Sequence, residues 1–312
     1  MNFLDRIQVI KIGVNNMRRT DLALEIRESF QKNVEIEGVV LNVHTDKKKN
    51  IKVSTVMIKT EQGSEKMGKP IGTYITMEAP HLEKEDKNYH EPLANEIKKY
   101  VKKLTGGFVG KSVLVAGLGN REVTPDSLGP KVVDNLLVTR HLIREFGQEF
   151  KEKNALGNVS AVAPGVMAQT GMEAAEILSG IIEKTKPDIL VVIDALAARS
   201  LNRLNTTIQI TNTGIAPGSG VGNHRKALNR ETLGVDVIAI GVPTVVDAST
   251  IVEDRMEEVL QGQGFTENEI ESFLMEIKNE TMKNMFVTPK NVDESMRRIS
   301  YTISEGLNAC FH

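Results

Sequence analysis

Two aspartates stand where an α/β sheet would place reactive groups. Asp194 directly follows the apolar run Ile189-Leu190-Val191-Val192-Ile193, which reads as a strand buried on both faces. A carboxylate at the end of such a strand is expensive unless it is paired, hydrogen-bonded or functional. Asp126 lies in the rigid turn sequence Thr124-Pro125-Asp126-Ser127-Leu128-Gly129-Pro130, after the apolar run Val113-Leu114-Val115-Ala116-Gly117 and before a helix. Open α/β sheets bind ligands at that carboxyl edge. If the two strands are neighbours, both carboxylates face one crevice. Two close carboxylates do not both ionise cheaply, so one pKa rises and the pair shares a proton. One then serves as base towards water and the other as acid towards a carbonyl or leaving amine. Residue type alone does not assign the two roles. Plainer readings stay open beside this one: Asp126 as a helix cap, and Asp194 as a lone capping residue.

Three further segments carry candidate chemistry. Gly117-Leu118-Gly119-Asn120 suggests dinucleotide binding, but the third glycine of G-x-G-x-x-G is replaced by Glu122. The expected helix also starts too late to hold a phosphate on its N-terminus, so these glycines read as a tight exit from the strand. Gly214 to Arg225 is glycine-rich; Gly218, Ser219 and Gly220 would line a substrate cleft or offer N–H donors to an oxyanion, and a flexible surface loop is the alternative. His224 would assist chemistry there, although a lone loop histidine is more often incidental. Asp247 follows another buried strand, and a cap on the next helix is the favoured reading.

Composition removes whole classes. The 312 residues carry a net charge of -2 from 39 basic and 41 acidic side chains, so no global basic field exists to hold nucleic acid or an anionic membrane. No apolar run approaches the ~18 residues of a membrane helix. The N-terminus lacks the apolar core of a secretory signal. A single cysteine, Cys310, excludes disulfides and Cys-ligated zinc within one chain and points to a reducing, cytoplasmic setting. Neither H-E-x-x-H nor G-x-S-x-G occurs. Asn212-Thr213-Gly214 has Asn where a pepsin-like site would have Asp.

The elements that must position these groups follow from periodicity. Leu22 to Gln31 reads as a helix, and Ile36–Val43, Ile51–Ile58 and Tyr74–Met77 as strands. Ile51, Val53, Thr55 and Met57 alternate as in a half-buried strand. Helices are predicted over Glu91–Leu104, Pro130–Phe146, Gly171–Ile182, Val252–Leu260, Glu267–Lys278 and Val292–Asn308. Buried strands between them are Val113–Gly117, Val159–Val162, Ile189–Ile193, Thr207–Thr211 and Val235–Val242. This alternation predicts an α/β fold: a three-layer, largely parallel sheet with helices on both faces, plus a small antiparallel β-rich addition. Residues 1–21 read as an appendage. Residues 22–312 read as one domain, with the β-rich addition in 22–105 and the α/β core in 106–312.

Long blocks in one order carry a resemblance. They include Arg19–Ala23, Val115–Asn120, Val123–Pro130, Asn135–Leu142, Ala163–Met167, Ile193–Arg199, Asn205–Ile210, Gly218–Asn223 and Ile240–Ala248. The chain resembles the germination proteases of spore-forming bacteria, endopeptidases that degrade small acid-soluble spore proteins in the spore core. The resemblance implies a fold like that of hydrogenase-maturation proteases, an inactive zymogen that processes itself, a homotetramer, and no cofactor. It also implies an unusual aspartic-type site whose two essential aspartates fall on Asp126 and Asp194. Substrates of such enzymes bind DNA, but the enzyme need not. They are cut after the acidic residue of a motif like Thr-Glu-(Ile/Phe)-Ala-x-Glu. Thr20-Asp21-Leu22-Ala23-Leu24-Glu25 is similar, so cleavage is expected between Asp21 and Leu22, releasing residues 1–21 as a pro-segment. An insertion of longer relatives is expected to be missing around Gln261 to Thr281. Two rivals keep the scaffold: a metal-dependent endopeptidase using Asp126, Asp194 and His224, and a non-catalytic peptide-binding spore protein.

Overall fold

The computed structural model describes residues 20–30, 35–82, 87–218, 225–266, 269–270, 272–274 and 285–312, with backbone alone at 87 and 88. Most of the helix expected over 267–278 and residues 1–19 of the appendage lie outside these. The strands are β1 (Val39–Asp46), β2 (Ile51–Ile58), β3 (Gly72–Glu78), β4 (Ser112–Gly117), β5 (Asn158–Val162), β6 (Ile189–Ala198), β7 (Thr207–Thr211), β8 (Asp236–Asp247) and β9 (Phe286–Val287). The helices are α1 (Ala23–Ser29), α2 (Glu61–Met67), α3 (Lys87–Thr105), α4 (Leu128–Asp134), α5 (Arg140–Lys153), α6 (Met167–Thr170), α7 (Ala174–Thr185), α8 (Arg230–Leu233), α9 (Ala248–Gly262) and α10 (Val292–Phe311).

The strands form one sheet in the order β1-β2-β3-β7-β8-β6-β4-β5, with β9 added to β8. Its centre is parallel: β5, β4, β6 and β8 run together. The antiparallel addition continues the same sheet, because β7 pairs β8 on one side and β3 on the other. Alternate side chains of each strand meet a different helical layer. Val113, Val115, Val191, Ile193, Ile238 and Ile240 pack under α3, α4 and α10, through Leu93, Ile97, Leu128, Val132, Ile299 and Ile303. On the second face, Leu114, Leu190, Val192 and Val237 pack against Ala175 and Leu178 of α7 and Leu233 of α8. Helix α1 covers the far end of that second face through Leu24 and Ile26 on Val56, Ile58 and Tyr74.

Several boundaries differ from the periodic pattern for physical reasons. The helix expected over 130–146 is two helices, broken where Thr139 turns inward: its N–H donates to Val159 O at 3.0 Å and its hydroxyl bonds Gly157 O. The first strand begins three residues late, because Gly38 makes a turn at φ 77° and Ile36 joins the α1 cluster. β2 is buried at Ile51 and Val53 on one face and at Val56 and Ile58 on the other, so it is covered on both sides rather than half-buried. Helix α3 starts earlier than expected and holds Pro92 inside it. β8 carries one extra residue: Leu196 pairs Pro243 and Ala197 pairs Val245, leaving Thr244 as a bulge. Before it Val242 faces the α3 layer, and after it Val246 faces the opposite layer beside Leu22.

The seat of α4 rests on close backbone contact. A Cβ on Gly117 would stand 2.2 Å from Gly129 O, and one on Gly129 would stand 2.3 Å from Leu118 O. Only two glycines let the helix start so near the strand end. Gly117→Ala is expected to destabilise the fold by at least about 1–3 kcal/mol in urea unfolding. Gly180→Ala, where a Cβ meets nothing on α7, should be neutral or stabilise by up to about 1 kcal/mol.

Candidate active site

β4 stops at Gly117, but its parallel neighbour β6 runs on to Ala198 because the twelve-residue β8 keeps pairing with it. Leu118 N–H donates to Ile193 O at 2.8 Å as the chain leaves the sheet. Asp194 is therefore mid-strand, not at a strand end as the apolar run suggests. It is still the first residue of β6 beyond the end of β4. Its side chain is 6% exposed and accepts a hydrogen bond from Ala195 N–H at 3.0 Å.

The loop after β4 folds back and ends in a short 3-10 turn, Thr124–Asp126. Asp126 does not cap α4, whose N-terminal Ser127 position has no side-chain cap. Instead its Oδ2 accepts from Asn120 N–H at 2.7 Å. Gly119 makes this approach sterically allowed: its φ is 109°, and a Cβ there would stand 1.9 Å from Asp126 O. The glycines after β4 thus serve close backbone packing.

Asp126 and Asp194 line one cavity of about 590 Å³, together with Asp21, Gly218 and Arg225. Burial pushes the Asp194 carboxyl well above the ordinary value, and the neighbouring charges of Asp126 and then Asp21 push it further. Burial also raises Asp126, while the Asn120 N–H and the Arg225 charge pull it back. The Asp126 charge thus reaches Asp194 across the cavity. Asp194, the more deeply buried, retains its proton more strongly. Arg225 is the cation that faces both. Sequence reasoning placed it only at the end of the glycine-rich stretch, with no signal of its own.

Asp21 and Leu22 are docked on this site. Asp21 N–H donates to Ala197 O at 2.9 Å, and Ala197 N–H donates to Asp21 Oδ2 at 2.9 Å. Leu22 is fully buried among Leu196, Ala198, Leu204 and Val246. Ser219, Gly220 and His224 lie outside the described residues, so of the glycine-rich cleft only Gly218 is placed. Asp247 caps α9, accepting from Ser249 N–H at 2.9 Å. Cys310 is buried within α10, and burial pushes its thiol up to about 12, out of nucleophile range. Among the described residues, no group of three or more His, Cys, Asp or Glu is arranged to hold a metal ion, and no helix is long and apolar enough to cross a membrane.

Comparison with known proteins supplies the family. The sequence pattern of the peptidase family described as germination protease matches residues 16–273. The chain is 44% identical over 319 aligned positions to the germination protease of Caldanaerobacter subterraneus subsp. tengcongensis, covering 96% of this chain and 94% of that protein. It is 43% identical to the germination protease of Clostridium tetani, covering 93% and 94%. With that of Geobacillus sp. strain WCH70 the identity is 39% over 355 positions, covering 94% and 93%; that alignment is longer than this chain, so that relative carries segments this chain lacks. Among solved structures, a NiFe hydrogenase maturation protease from Thermococcus kodakarensis KOD1 aligns with a TM-score of 0.34 and 19% identity, covering 66% of this chain and 98% of that one. The chain belongs to the germination protease family.

The raised Asp194 has a consequence for stability. The fold keeps a proton that the unfolded chain releases above about 3.8. The contribution of this group to stability is therefore fully present below about 3.8 and is lost as pH rises through its folded pKa. Asp194→Asn is expected to raise stability at neutral pH by on the order of 1–3 kcal/mol, with the gain narrowing as pH falls towards 3.8. Thermal unfolding of both proteins across that range checks it.

Proposed function

Within the germination protease family, we propose that this chain is an aspartic-type endopeptidase made as a zymogen that cuts itself between Asp21 and Leu22. As a protease of spore germination, it takes small acid-soluble spore proteins as substrate. It works in the cytoplasm of the spore core as a homotetramer, without a metal or other cofactor and without binding nucleic acid or membrane. The observation that supports this most directly is the shared cavity. Asp21, in the segment that matches the expected cleavage motif, is bonded to Ala197 and lines the same cavity as the two acids that the resemblance singles out.

The chemistry follows from the unequal burial of the acids. Asp126, held by the Asn120 N–H and facing Arg225, is the base. Asp194, buried and proton-retaining, is the acid. Asp126 takes a proton from water as the water oxygen bonds to the Asp21 carbonyl carbon. The C–N bond to Leu22 then breaks as Asp194 gives its proton to the leaving nitrogen. The pair ends with the same single proton, now on Asp126, and passing it back to Asp194 resets the site. An extended, disordered substrate suits such a cleft because its backbone groups are all available.

Asp126→Asn and Asp194→Asn are each expected to lower both self-processing and peptide cleavage by roughly 10²–10⁴-fold. Intact mass and N-terminal sequencing of the processed wild-type chain should give Leu22 as the new first residue. Full activity in either variant, or a different new terminus, would remove the corresponding part of this reading.

A further inference from the structure

The docked segment defines more than a cleavage point. Asp194, Gly241 and Gln209 form one row across β6, β8 and β7, since Asp194 pairs Gly241 and Gly241 pairs Gln209. Directly paired residues project to the same face, so Asp194 and Gln209 flank the bare position of Gly241, about 10 Å apart at two strand spacings. Asp21 lines the hollow over Gly241 and Gln209 as well as the cavity of the two acids. Gln209 grips the chain on both sides of the Asp21–Leu22 bond. Its Nε2 donates to Asp21 O at 3.2 Å, and its Oε1 accepts from Ala23 N–H at 2.9 Å. It is itself buried at 6% exposure. This grip uses only backbone atoms of the segment and is blind to its side chains.

Side-chain selection lies four residues after Asp21. Glu25 is 4% exposed, and both its oxygens are taken. Oε2 accepts from Arg199 N–H at 2.7 Å, Oε1 accepts from Ser200 N–H at 3.0 Å, and Arg203 Nη1 stands 3.3 Å from Oε1. Two backbone donors and a guanidinium make a receptor built for a carboxylate. It opens into a cavity of about 480 Å³ lined by Arg199, Arg203 and Asp254, so an acid can reach it from solvent.

We propose that the seat of Thr20–Glu25 is the substrate cleft itself, in which Gln209 is a catalytic donor to the carbonyl of the cleaved bond, and Arg203 with the Arg199 and Ser200 amides is the receptor for the second acid of the cleavage motif, four positions after the residue whose carbonyl is attacked. The proposal rests on cleavage at Asp21–Leu22 by the aspartate pair. As water adds, the carbonyl oxygen gains negative charge, and a hydrogen bond already aimed at it strengthens. Leu22–Glu25 must withdraw from the cleft before a substrate enters.

The test uses processed enzyme and two synthetic peptides spanning Asn16–Ser29, one with the native sequence and one carrying Glu25→Gln. Wild-type enzyme is expected to cut both after Asp21, the Gln peptide about 10–100-fold more slowly in kcat/KM, since the receptor is left without its charge partner. Arg203→Gln should bring the two rates within about threefold of each other. Gln209→Ala, checked for native folding by circular dichroism, should lower kcat on both peptides by about 10²–10³-fold, with a smaller change in KM. Arg203 also pairs with Glu28 and Glu78; if its variant does not fold, the peptide comparison on wild-type enzyme still decides. Equal cutting of the two peptides by wild type overturns the acid receptor, as does undiminished discrimination by a folded Arg203→Gln. An unchanged kcat in Gln209→Ala overturns its role. If wild type cuts neither peptide after Asp21, the cleavage reading itself falls, and the cleft assignment falls with it.

Discussion

A carboxyl group held inside a sheet cannot keep its charge cheaply, and Asp194 is such a group. Much of the surrounding architecture answers that constraint. β4 ends one residue short of it, and its side chain lines a cavity into which the loop after β4 can bring Asp126. Asp126 stands opposite, yet it has an N–H partner and a facing arginine, so the two acids differ in how readily they ionise. In the proposed mechanism, that difference is what gives similar side chains opposite proton-transfer roles. The glycines at 117, 119 and 129 belong to the same solution, since they bring a loop and a helix close enough to place Asp126 there.

The N-terminal segment shows how one stretch of chain can serve two ends. Its backbone is held by Ala197 and Gln209, its leucine fills an apolar pocket, and its glutamate meets a guanidinium. Those contacts stabilise α1 against the second face of the sheet. Under the proposal they are also the contacts by which a substrate is recognised: one backbone grip beside the cut bond and two side-chain sites, the second in the first turn of α1. A segment that docks well is a structural anchor, and under the proposal it is also an occupant that must leave.

How much of this is legible in sequence depends on range. Asp126 and Asp194 stand out because each follows an apolar run short enough to be a buried strand, and the pairing of β4 with β6 supplies the neighbour relation on which their meeting is conditional. The α/β alternation and the Asp247 cap are local signals and read directly. The extension of β6 past Ile193 is not local, because it depends on β8 continuing beside it. The break after α4 depends on Thr139 meeting β5. Gln209 and Arg203 carry no pattern at all: one is a polar residue in a short strand, the other a turn residue, and their partners come from the opposite end of the chain. Gln209 and Ala23, for instance, are 186 positions apart.

The single surplus residue in β8 has a consequence of parity. Side chains alternate between faces, so one uncounted residue at Thr244 exchanges inside for outside over the rest of the strand. Val246 thereby turns towards Leu22, and the strand then hands over directly to α9. Removing Thr244 would therefore leave Val246 opposite Ala198 and still facing Leu22, and would take away only the bulge and the bend it puts in the strand. Along this stretch the count of residues matters as much as their kind: one can be lost without exchanging the faces, whereas losing two would bring Val246 opposite Ala197 and turn it away from Leu22.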